Sequence, residues 1–469
     1  MTLRPQVILN KKVLTSLIAP AGARNAAMIG TAIWGPINTI TSVSTLSEFV
    51  SYFGDDKAGT GVTGIKGADL FFSNGGTLMF TRIVDGDEAK SALMGLNDVL
   101  DVINFQGKHV GTYGNNIYVT ITENATTSTN RNVEVTDGTN IELYTNGGAG
   151  FSTNAALALA INDGSLLISA TVESGEETQN LIDATIKSQL TGGDDGEDTI
   201  TITDITTALD DIVSPEEFNF LLIPGWTTDA DQNTISGKLD SRAITEKSYS
   251  RYITGIAKDE TISTATSRIA VGSRLTVVSP GINYVNRVDG NESIIDGSYL
   301  ACAYAGKLCV LPLEVSGTHE TVSVRGTSVL EVSGKEYYTK AEQEQLLQGS
   351  IAPITKIGSS IQMVRAITRN ADQTSVFFEE VIMDIVDYVT VVLQDYLNTK
   401  LGKPNTTVNR SIYASELNAR LTNFQSQGII DSYTESTVVE GASPDTIIAS
   451  VGIKPAYSTN FIELTLNIN

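Results

Sequence analysis

The amino-acid sequence predicts a multidomain protein that mixes α and β structure around a parallel α/β sheet domain. Continuous apolar runs alternate with helical patterns between residues 195 and 353, which is typical of a parallel sheet covered by helices on both faces. Short runs rich in Thr, Asn and Gly fill residues 95–194 and predict a small inserted β-sandwich. The chain has 469 residues, 41% of them hydrophobic, which is enough for three or more domains.

The first part of the sheet domain is predicted over residues 21–94. Residues 24–38 have the pattern of a buried strand that ends in a Gly-Pro turn. Helices are predicted over 45–53 and 64–73, and a strand over 77–84. These elements could add strands to the same parallel sheet as residues 195–353.

The inserted module is predicted to be mostly β. Strands are expected over 117–122, 131–136 and 141–144, interrupted later by a single helix at about 154–162. Asp137-Gly138 is a hairpin signal between the second and third of these strands.

Two glycine-rich stretches raise the question of a ligand. Residues 59–64 formally match the dinucleotide pattern G-x-G-x-x-G, but that pattern needs a strand before it, and here it follows a helix. Residues 191–198 cluster carboxylates with glycines and could bind calcium, but the EF-hand spacing is absent. A flexible loop and a solvated linker are therefore predicted at these two places.

The second part of the sheet domain, residues 195–353, alternates between the two element types. The predicted helices and strands follow one another as helix 202–212, strand 218–223, helix 231–248, strand 252–256, a short helix, strand 274–279, helix 298–311 and helix 339–349.

A C-terminal α+β domain is predicted over residues 354–458, beginning with strands at 354–358 and 360–368. A long helix at 375–398 follows, and its polar residues form one stripe while the rest of its surface must be buried. A more polar helix is expected at 415–427. The stripe consists of Glu380, Asp384, Asp387, Gln394 and Asn398.

Both ends of the sequence predict extended arms. Residues 1–20 contain strand-like islands, and Pro5 discourages a helix. Residues 459–469 end in a strict alternation of apolar and polar side chains, so this strand must pair with a sheet. Our central hypothesis is that part of the pairing is made with other copies of the protein. The predicted arm residues are Val7, Ile8, Leu9, Phe461, Ile462, Leu464, Leu466 and Ile468.

The composition narrows the classes of function. A net charge of -23 disfavours binding to nucleic acid and suits a protein kept dispersed until it assembles. Cys302 and Cys309 are too far apart along one helix to form a disulfide, and we expect both to be small buried hydrophobic residues. This fits synthesis in a reducing cytoplasm. No stretch is long enough for a membrane span, and a signal peptide at the N-terminus is disfavoured.

The sequence predicts no catalytic, metal or cofactor site. The histidines are His109 and His319, and neither belongs to a zinc motif. The sequence has no P-loop and no G-x-S-x-G elbow. Glu379-Glu380 falls at a helix start, where carboxylates interact with the helix dipole. A pocket at the strand ends 224–225 and 280–281 leaves a hydrolase as a minor alternative.

The chain resembles contractile tail sheath proteins of phages and related injection machines. The similarity spans nearly the whole length in the order of the family, and the ordered set of segments is more specific than any single motif. The segments that carry it are 29–38, 49–54, 75–84, 111–119, 190–196, 220–225, 364–368, 387–405 and the closing strand.

The resemblance implies stacked rings of subunits around an inner tube, contracting without a nucleotide. It also implies a subtilisin-like sheet topology, a sandwich towards the outside, a C-terminal domain facing the tube, and arms that add strands to neighbouring subunits. The implied partners are further copies of the chain, a tube protein, and baseplate and terminator proteins. The implied tube-contact helix falls on 414–427, and its candidate contacts are Glu416, Arg420, Asn423 and Gln425.

Alternatives remain open at this point. The sequence does not distinguish a phage sheath from that of a tail-like bacteriocin or an extracellular injection system. The Thr- and Gly-rich insertion also leaves a surface-layer or adhesin-type binding protein as a less favoured reading.

Overall fold

A computed structural model describes residues 24–55, 61–85, 90–95, 103–178, 185–197, 199–213, 217–269, 272–329 and 334–460. The predicted arm residues lie outside these ranges, as do residues 59 and 60 of the glycine pattern. The predictions made for them therefore remain predictions.

Helices and strands are numbered here in chain order. The helices are α1 Leu46–Phe53, α2 Gly64–Phe72, α3 Asn154–Gly164, α4 Ile202–Ala208, α5 Asp229–Thr245, α6 Ile262–Ser267, α7 Gly297–Val310, α8 Lys340–Gln348, α9 Glu380–Asn398 and α10 Thr407–Ser426. The strands are β1 Ala26–Gly30, β2 Ile40–Val43, β3 Leu78–Arg82, β4 Leu93–Gly95, β5 Ile103–Gly107, β6 Tyr118–Glu123, β7 Arg131–Thr136, β8 Ile141–Tyr144, β9 Ile168–Val172, β10 Thr185–Gln189, β11 Phe220–Leu222, β12 Arg251–Gly255, β13 Leu275–Ser279, β14 Gly281–Val285, β15 Glu292–Ile295, β16 Gly326–Ser328, β17 Ala352–Ile357, β18 Ser360–Met363, β19 Ile430–Glu440 and β20 Ile447–Pro455.

An eight-stranded mixed sheet organises the described chain, in the order β18-β17-β13-β12-β11-β1-β3-β2. Neighbours from β17 to β3 are parallel, as the apolar runs predicted. The two outermost strands, β2 and β18, run antiparallel to their neighbours, so the sheet is mixed and not wholly parallel. Strand β18 follows β17 through a short turn, and a connection of that length can join only antiparallel strands.

Helices cover both faces of the sheet, and β1 shows how the two cores are separated. Ala26 and Met28 contribute to the core under α1, α2 and α7, whereas Ala27 and Ile29 contribute to the core under α4, α5, α6 and α8. This alternation of side chains in a doubly covered strand explains why the sequence of β1 is continuously apolar.

The helix α7 lies unusually close to its neighbours because glycines remove side chains at the contacts. A Cβ on Gly255 in β12 would lie 2.1 Å from the carbonyl carbon of Gly297 at the start of α7. A Cβ on Gly306 would lie 2.3 Å from the carbonyl oxygen of Phe71 in α2. The backbones themselves therefore form the contacts at these two points.

The inserted module contains a four-stranded sheet, β10-β6-β7-β8, and a three-stranded sheet, β4-β5-β9, with α3 packed on β9. The predicted solvated linker at 191–198 is wrong at Asp195, which is buried and accepts hydrogen bonds from the backbone N–H and the hydroxyl of Thr112. Arg82, which ends β3, donates to the carbonyl oxygens of Gly35 and Val110 and so joins the sheet domain to the module. Asp195 is therefore buried at the junction between the sheet domain and the module, which composition alone could not show.

The C-terminal segment packs α9, α10 and the hairpin β19–β20 around a core of its own. Strands β17 and β18, which the prediction placed in this domain, instead extend the eight-stranded sheet. Helix α10 begins at Thr407 and not near residue 415, because the Thr406 side chain caps it by accepting a hydrogen bond from the Asn409 N–H.

Candidate functional site

Three arginines line the amino-terminal edge of the central parallel strands. Arg24 precedes β1, Arg251 begins β12, and Arg274 directly precedes β13. Phe220 begins β11 between them and pairs in register with both Ala26 and Arg251. The guanidinium groups of Arg24 and Arg251 lie 5.5 and 5.3 Å from the centre of its ring. The strand order therefore turns three residues that are distant in sequence into one row of positive charge.

Helix α9 crosses this row and contributes one carboxylate per turn. Arg24 Nη1 and Arg251 Nη2 donate to Asp384 Oδ2 at 2.9 and 3.0 Å. Arg251 also donates to Glu380, which accepts a further hydrogen bond from the Tyr304 hydroxyl. We use the name arginine–carboxylate ladder for Tyr304 together with six charged residues. The charged members are Arg24, Arg251, Arg274, Glu380, Asp384 and Asp387.

The outer end of the ladder is a two-pronged contact. Arg274 Nη1 and Nη2 donate to the two oxygens of Asp387 at 2.7 and 2.8 Å. A guanidinium group matches a carboxylate in this geometry, and such pairs are among the strongest charge-assisted hydrogen bonds. The ladder contains three arginines and three carboxyl groups, and Arg274 also forms an ion pair with Asp240 at 3.7 Å.

Burial makes the ladder sensitive to the loss of any member. The side chains of Arg251 and Glu380 are each 1% exposed. Burial by itself lowers the pKa of Arg251, but the carboxylates of Asp384 and Glu380 outweigh burial and raise that pKa above its ordinary value. Burial raises the pKa of Glu380, opposed by the charge of Arg251. Because Arg251 and Tyr304 both donate to Glu380, we treat it as a carboxylate that is stabilised only while its donors remain.

The structure revises the prediction for this region. The polar stripe on α9 faces the sheet domain, and Gln394 extends it by donating to the hydroxyl of Tyr249. The helix-dipole interpretation of Glu379-Glu380 is insufficient, because Glu379 pairs with Arg365 and Glu380 with Arg251. Sequence reasoning missed the arginines, although each stands at or just before a continuous apolar strand, a position that could have matched them to the stripe.

The crevice at the opposite ends of the strands is small. A cavity of about 180 Å³ lies there, lined by Thr31, Thr63, Glu197, Gly225 and Trp226 among others. The Thr63 N–H donates to the Thr31 hydroxyl, so these polar groups bond to one another. The predicted pocket thus exists at Gly225, and the residues lining it include no histidine.

The two histidines lie elsewhere. His109 packs edge-on against Trp34, with ring centres 5.0 Å apart, at the junction of the sheet domain and the module. Burial lowers its pKa to about 4. The backbone N–H of His319 donates to Met363, and its φ is 62°. Both positions are explained by packing and backbone geometry.

The structure also bears on the cysteines, on metal-binding groups and on membrane-spanning helices. Cys302 and Cys309 are buried and unbridged, and burial raises the pKa of the Cys309 thiol to about 12. Within the described ranges, no group of three or more His, Cys, Asp or Glu side chains could hold a metal ion. In the same ranges, no helix is both long and apolar enough for a membrane span.

The four residues predicted for tube contact lie on α10, where helical spacing places Glu416, Arg420 and Asn423 on one face and Gln425 on the opposite side. Glu416 forms an ion pair with Lys400 at 2.7 Å, and Arg420 stacks 3.9 Å from the ring centre of Tyr396. The Gln425 side chain donates to the carbonyl oxygen of Asp431. Asn423 is exposed. The other exposed side chains of the helix are mostly those of Ser, Thr and Ala, together with Val408, which is 69% exposed, and Ile412, which is 44% exposed.

The hairpin β19–β20 is a two-stranded sheet among the described residues. One face packs against α9 and α10, through partly buried side chains such as Val438 and Ile453. Val439 and Ile448 pair across the other face and are about half exposed. An antiparallel ribbon of this kind has backbone donors and acceptors along both outer edges, which further strands can use.

The fold and the ladder thus define a multidomain α/β protein whose buried charges connect its parts to one another. The comparisons with known proteins make this more specific. Residues 372–469 match the family of phage tail sheath C-terminal domains. No curated protein matches the sequence at a significant level.

Solved structures extend the likeness over the full chain. A sheath tail protein from Listeria innocua is 16% identical with a TM-score of 0.69, covering 94% of this chain and 93% of its own. One from Desulfitobacterium hafniense is 14% identical with a TM-score of 0.66, covering 93% and 97%. The helical sheath of the anti-feeding prophage in its contracted state is 13% identical with a TM-score of 0.55 and full coverage of both chains. At these identities the likeness establishes a shared fold. Together with the match of residues 372–469, it confirms the relationship to contractile tail sheath proteins that the sequence predicts.

Proposed function

We propose that this protein is the structural subunit of a contractile tail sheath, which polymerises as stacked rings around an inner tube and shortens to drive the tube through a target envelope. The observation that carries the proposal is the family match of residues 372–469, which begins just before α9, the helix that bears the ladder. The contracted helical sheath with the same fold supports it. A subtilisin-like topology without subtilisin-like activity, domains bounded near residues 20, 94, 194 and 458, and a C-terminal domain that begins after β18 belong to the same proposal.

The arms are proposed to connect the subunits. Strands at Val7–Leu9 and Phe461–Ile468 would add to sheets of neighbouring copies, and the outer edges of β19–β20 are among the acceptors that the described chain offers. Strand addition supplies several directional backbone hydrogen bonds per junction. Polar contacts between rigid bodies exchange more readily, so the connections can persist while the packing between subunits changes.

Contraction then needs no nucleotide. The extended sheath would be a trapped state held by the tube and the baseplate, and contraction would release the difference in free energy between two sets of interfaces. The protein is therefore proposed to act as a structural protein and not as an enzyme. We predict that it requires no cofactor.

The helix α10 is proposed to face the tube. Asn423 and Gln425 are exposed, and the intramolecular contacts of Glu416 and Arg420 hold these two side chains in defined positions. Asn423→Ala should weaken assembly templated by the tube protein without changing thermal unfolding, whereas Gln425→Ala also removes the hydrogen bond to the Asp431 carbonyl oxygen. Gln348→Ala, which removes an exposed amide from α8, is the matched control.

The wider setting follows from the proposal. The partners are further copies of the chain, a tube protein, and baseplate and terminator proteins, with no nucleic acid and no inserted membrane segment. The protein would be made in the host cytoplasm and function in a phage tail or a tail-like particle. A bacteriocin or an extracellular injection system fits the same observations.

Negative-stain microscopy of the purified protein tests the function. Rings or tubes with a cog-wheel cross-section are expected, with or without added tube protein. Monodisperse monomers at every concentration would count against it, and would favour the surface-layer alternative if intact mass also showed a processed N-terminus. Deleting residues 1–20 or 459–469 should leave a folded monomer that no longer polymerises, whereas normal tubes from either truncation would refute the role of the arms.

A further inference from the structure

We propose that Arg24 and Asn25 form a mechanical anchor at the root of the N-terminal arm, which directs tension on the arm into helix α9 and the sheet. This inference rests on the proposed function, because the arm carries tension only if it links subunits. It assigns a role to two residues that connect an arm to its domain, and it is independent of where the arm binds.

The contacts of Arg24 reach two distant parts of the chain. Its Nη1 donates to Asp384 in α9 at 2.9 Å, and its Nη2 donates to the carbonyl oxygen of Leu311, just after α7, at 3.2 Å. The side chain is 4% exposed. A residue that only began a strand would not need a guanidinium group shared between two helices.

Asn25 forms a reciprocal clasp with the next strand. Its N–H donates to Asn219 Oδ1 at 3.0 Å, and the Asn219 N–H donates back to Asn25 Oδ1 at 3.2 Å. Asn25 Nδ2 also donates to the carbonyl oxygen of Glu217 at 3.1 Å. The Arg251 N–H in turn donates to the Asn219 carbonyl oxygen, which continues the clasp towards β12.

The contacts of Arg24 and Asn25 lie where force on the N-terminal arm would enter the sheet domain. Tension applied to residues before Arg24 enters the described chain two residues before β1, whose residues pair on both sides with β3 and β11. A strand pulled along its axis must lose its ladder of hydrogen bonds together and not one at a time. The side chains of Arg24 and Asn25 add bonds at the point where rupture would start, and Asp384 passes the tension to α9.

The test uses the full-length protein under constant force between two cysteine handles, Thr2→Cys and Lys403→Cys. The native Cys302 and Cys309 are buried and do not compete for the handles in the folded protein. The variants are Arg24→Met and Arg24→Lys, and the control is Arg325→Met, which removes an exposed arginine paired with Glu292. In a second geometry, Ser359→Cys replaces Thr2→Cys, so that force does not enter through β1.

With force applied at Thr2, Arg24→Met should shorten the lifetime before the first rupture by roughly tenfold, as expected for the loss of charge-assisted hydrogen bonds. Arg24→Lys should give an intermediate lifetime, because one ammonium cannot make both contacts equally well. Arg325→Met should match the unsubstituted protein, and pulling from Ser359 should show little effect of Arg24→Met.

An unchanged lifetime for Arg24→Met under force from Thr2 would overturn the inference. So would an equal shortening in both geometries, since that indicates general destabilisation. If Arg24→Met does not fold, the Arg24→Lys comparison decides between the same outcomes. Failure of the unsubstituted protein to form tubes would refute the proposed function while leaving these lifetimes interpretable.

Discussion

Removing Arg251 tests whether the arginine–carboxylate ladder holds the C-terminal segment on the sheet. Arg251→Met leaves Glu380, which is 1% exposed, without its cationic partner, while the hydroxyls of Tyr304 and Thr276 remain near it. Breaking a buried ion pair from one side costs about 3–5 kcal/mol. The cost should appear as a lower free energy for the opening that exposes α9.

The partner substitution should cost less. In Glu380→Gln, Arg251 keeps its contact with Asp384 at 3.0 Å, so the loss is expected to be about 1.5–3 kcal/mol. The double variant Arg251→Met/Glu380→Gln removes both charges and leaves Asp384 paired with Arg24. It should therefore recover at least about 2 kcal/mol relative to the sum of the two single effects.

Hydrogen exchange of peptides spanning residues 380–398 measures this local opening, and urea unfolding followed by circular dichroism measures the rest of the fold. Arg325→Met is the control, because its ion pair with Glu292 is 60% and 66% exposed and should contribute little. A loss below about 1 kcal/mol in Arg251→Met, or a double variant as damaged as the sum of the singles, would refute the reasoning.

Three further predictions concern other contacts. Gly255→Ala should destabilise the fold by about 3 kcal/mol or more, because its Cβ would overlap Gly297. Gly237→Ala, in α5 with nothing within 4 Å, should stabilise it by about 0.5–1 kcal/mol, and thermal unfolding compares the two. Arg82→Met should cost about 2–4 kcal/mol by leaving the carbonyl oxygens of Gly35 and Val110 without their donor, seen as faster hydrogen exchange in residues 90–95 and 185–197. Because burial lowers the pKa of His109 from 6.5 to about 4, the unfolded state binds its proton first as pH falls, so stability should decline between those values. His109→Gln should flatten that decline in unfolding curves collected across the range, and an unchanged slope would contradict the assignment.

Hydrophobic periodicity correctly predicted the strands that are buried on both faces. The continuously apolar segments became β1, β12 and β13, because a strand covered on both faces needs no polar alternation. The last helix before the hairpin was predicted too short, because its start depends on the cap of Thr406, a local signal with no hydrophobic period. The antiparallel edges were missed for a related reason: strand direction is set by connection length and pairing, and an apolar run has no direction.

The ladder could be predicted only in part. The stripe on α9 was visible because its carboxylates are close in sequence, but their partners Arg24, Arg251 and Arg274 come from strands far apart in the chain. Only the strand order brings them together. Composition similarly predicted a solvated linker around Asp195, since local sequence does not show that Thr112 lies opposite to receive that carboxylate. Charges at interfaces between domains are the least predictable from one sequence, because their burial depends on how the domains pack and not on the local sequence.

The ladder also explains why charged residues, and not only apolar ones, connect α9 to the sheet. Apolar contacts are non-directional, so an apolar helix face alone would specify the register of α9 less strictly. With three carboxylates set against three arginines, a shift by one turn would leave buried charges without partners, and each would cost several kcal/mol. The ladder therefore fixes the register of α9 while adding little net stability. The proposed function asks for such a register, because a sheath subunit would keep its internal geometry while its contacts with neighbours change.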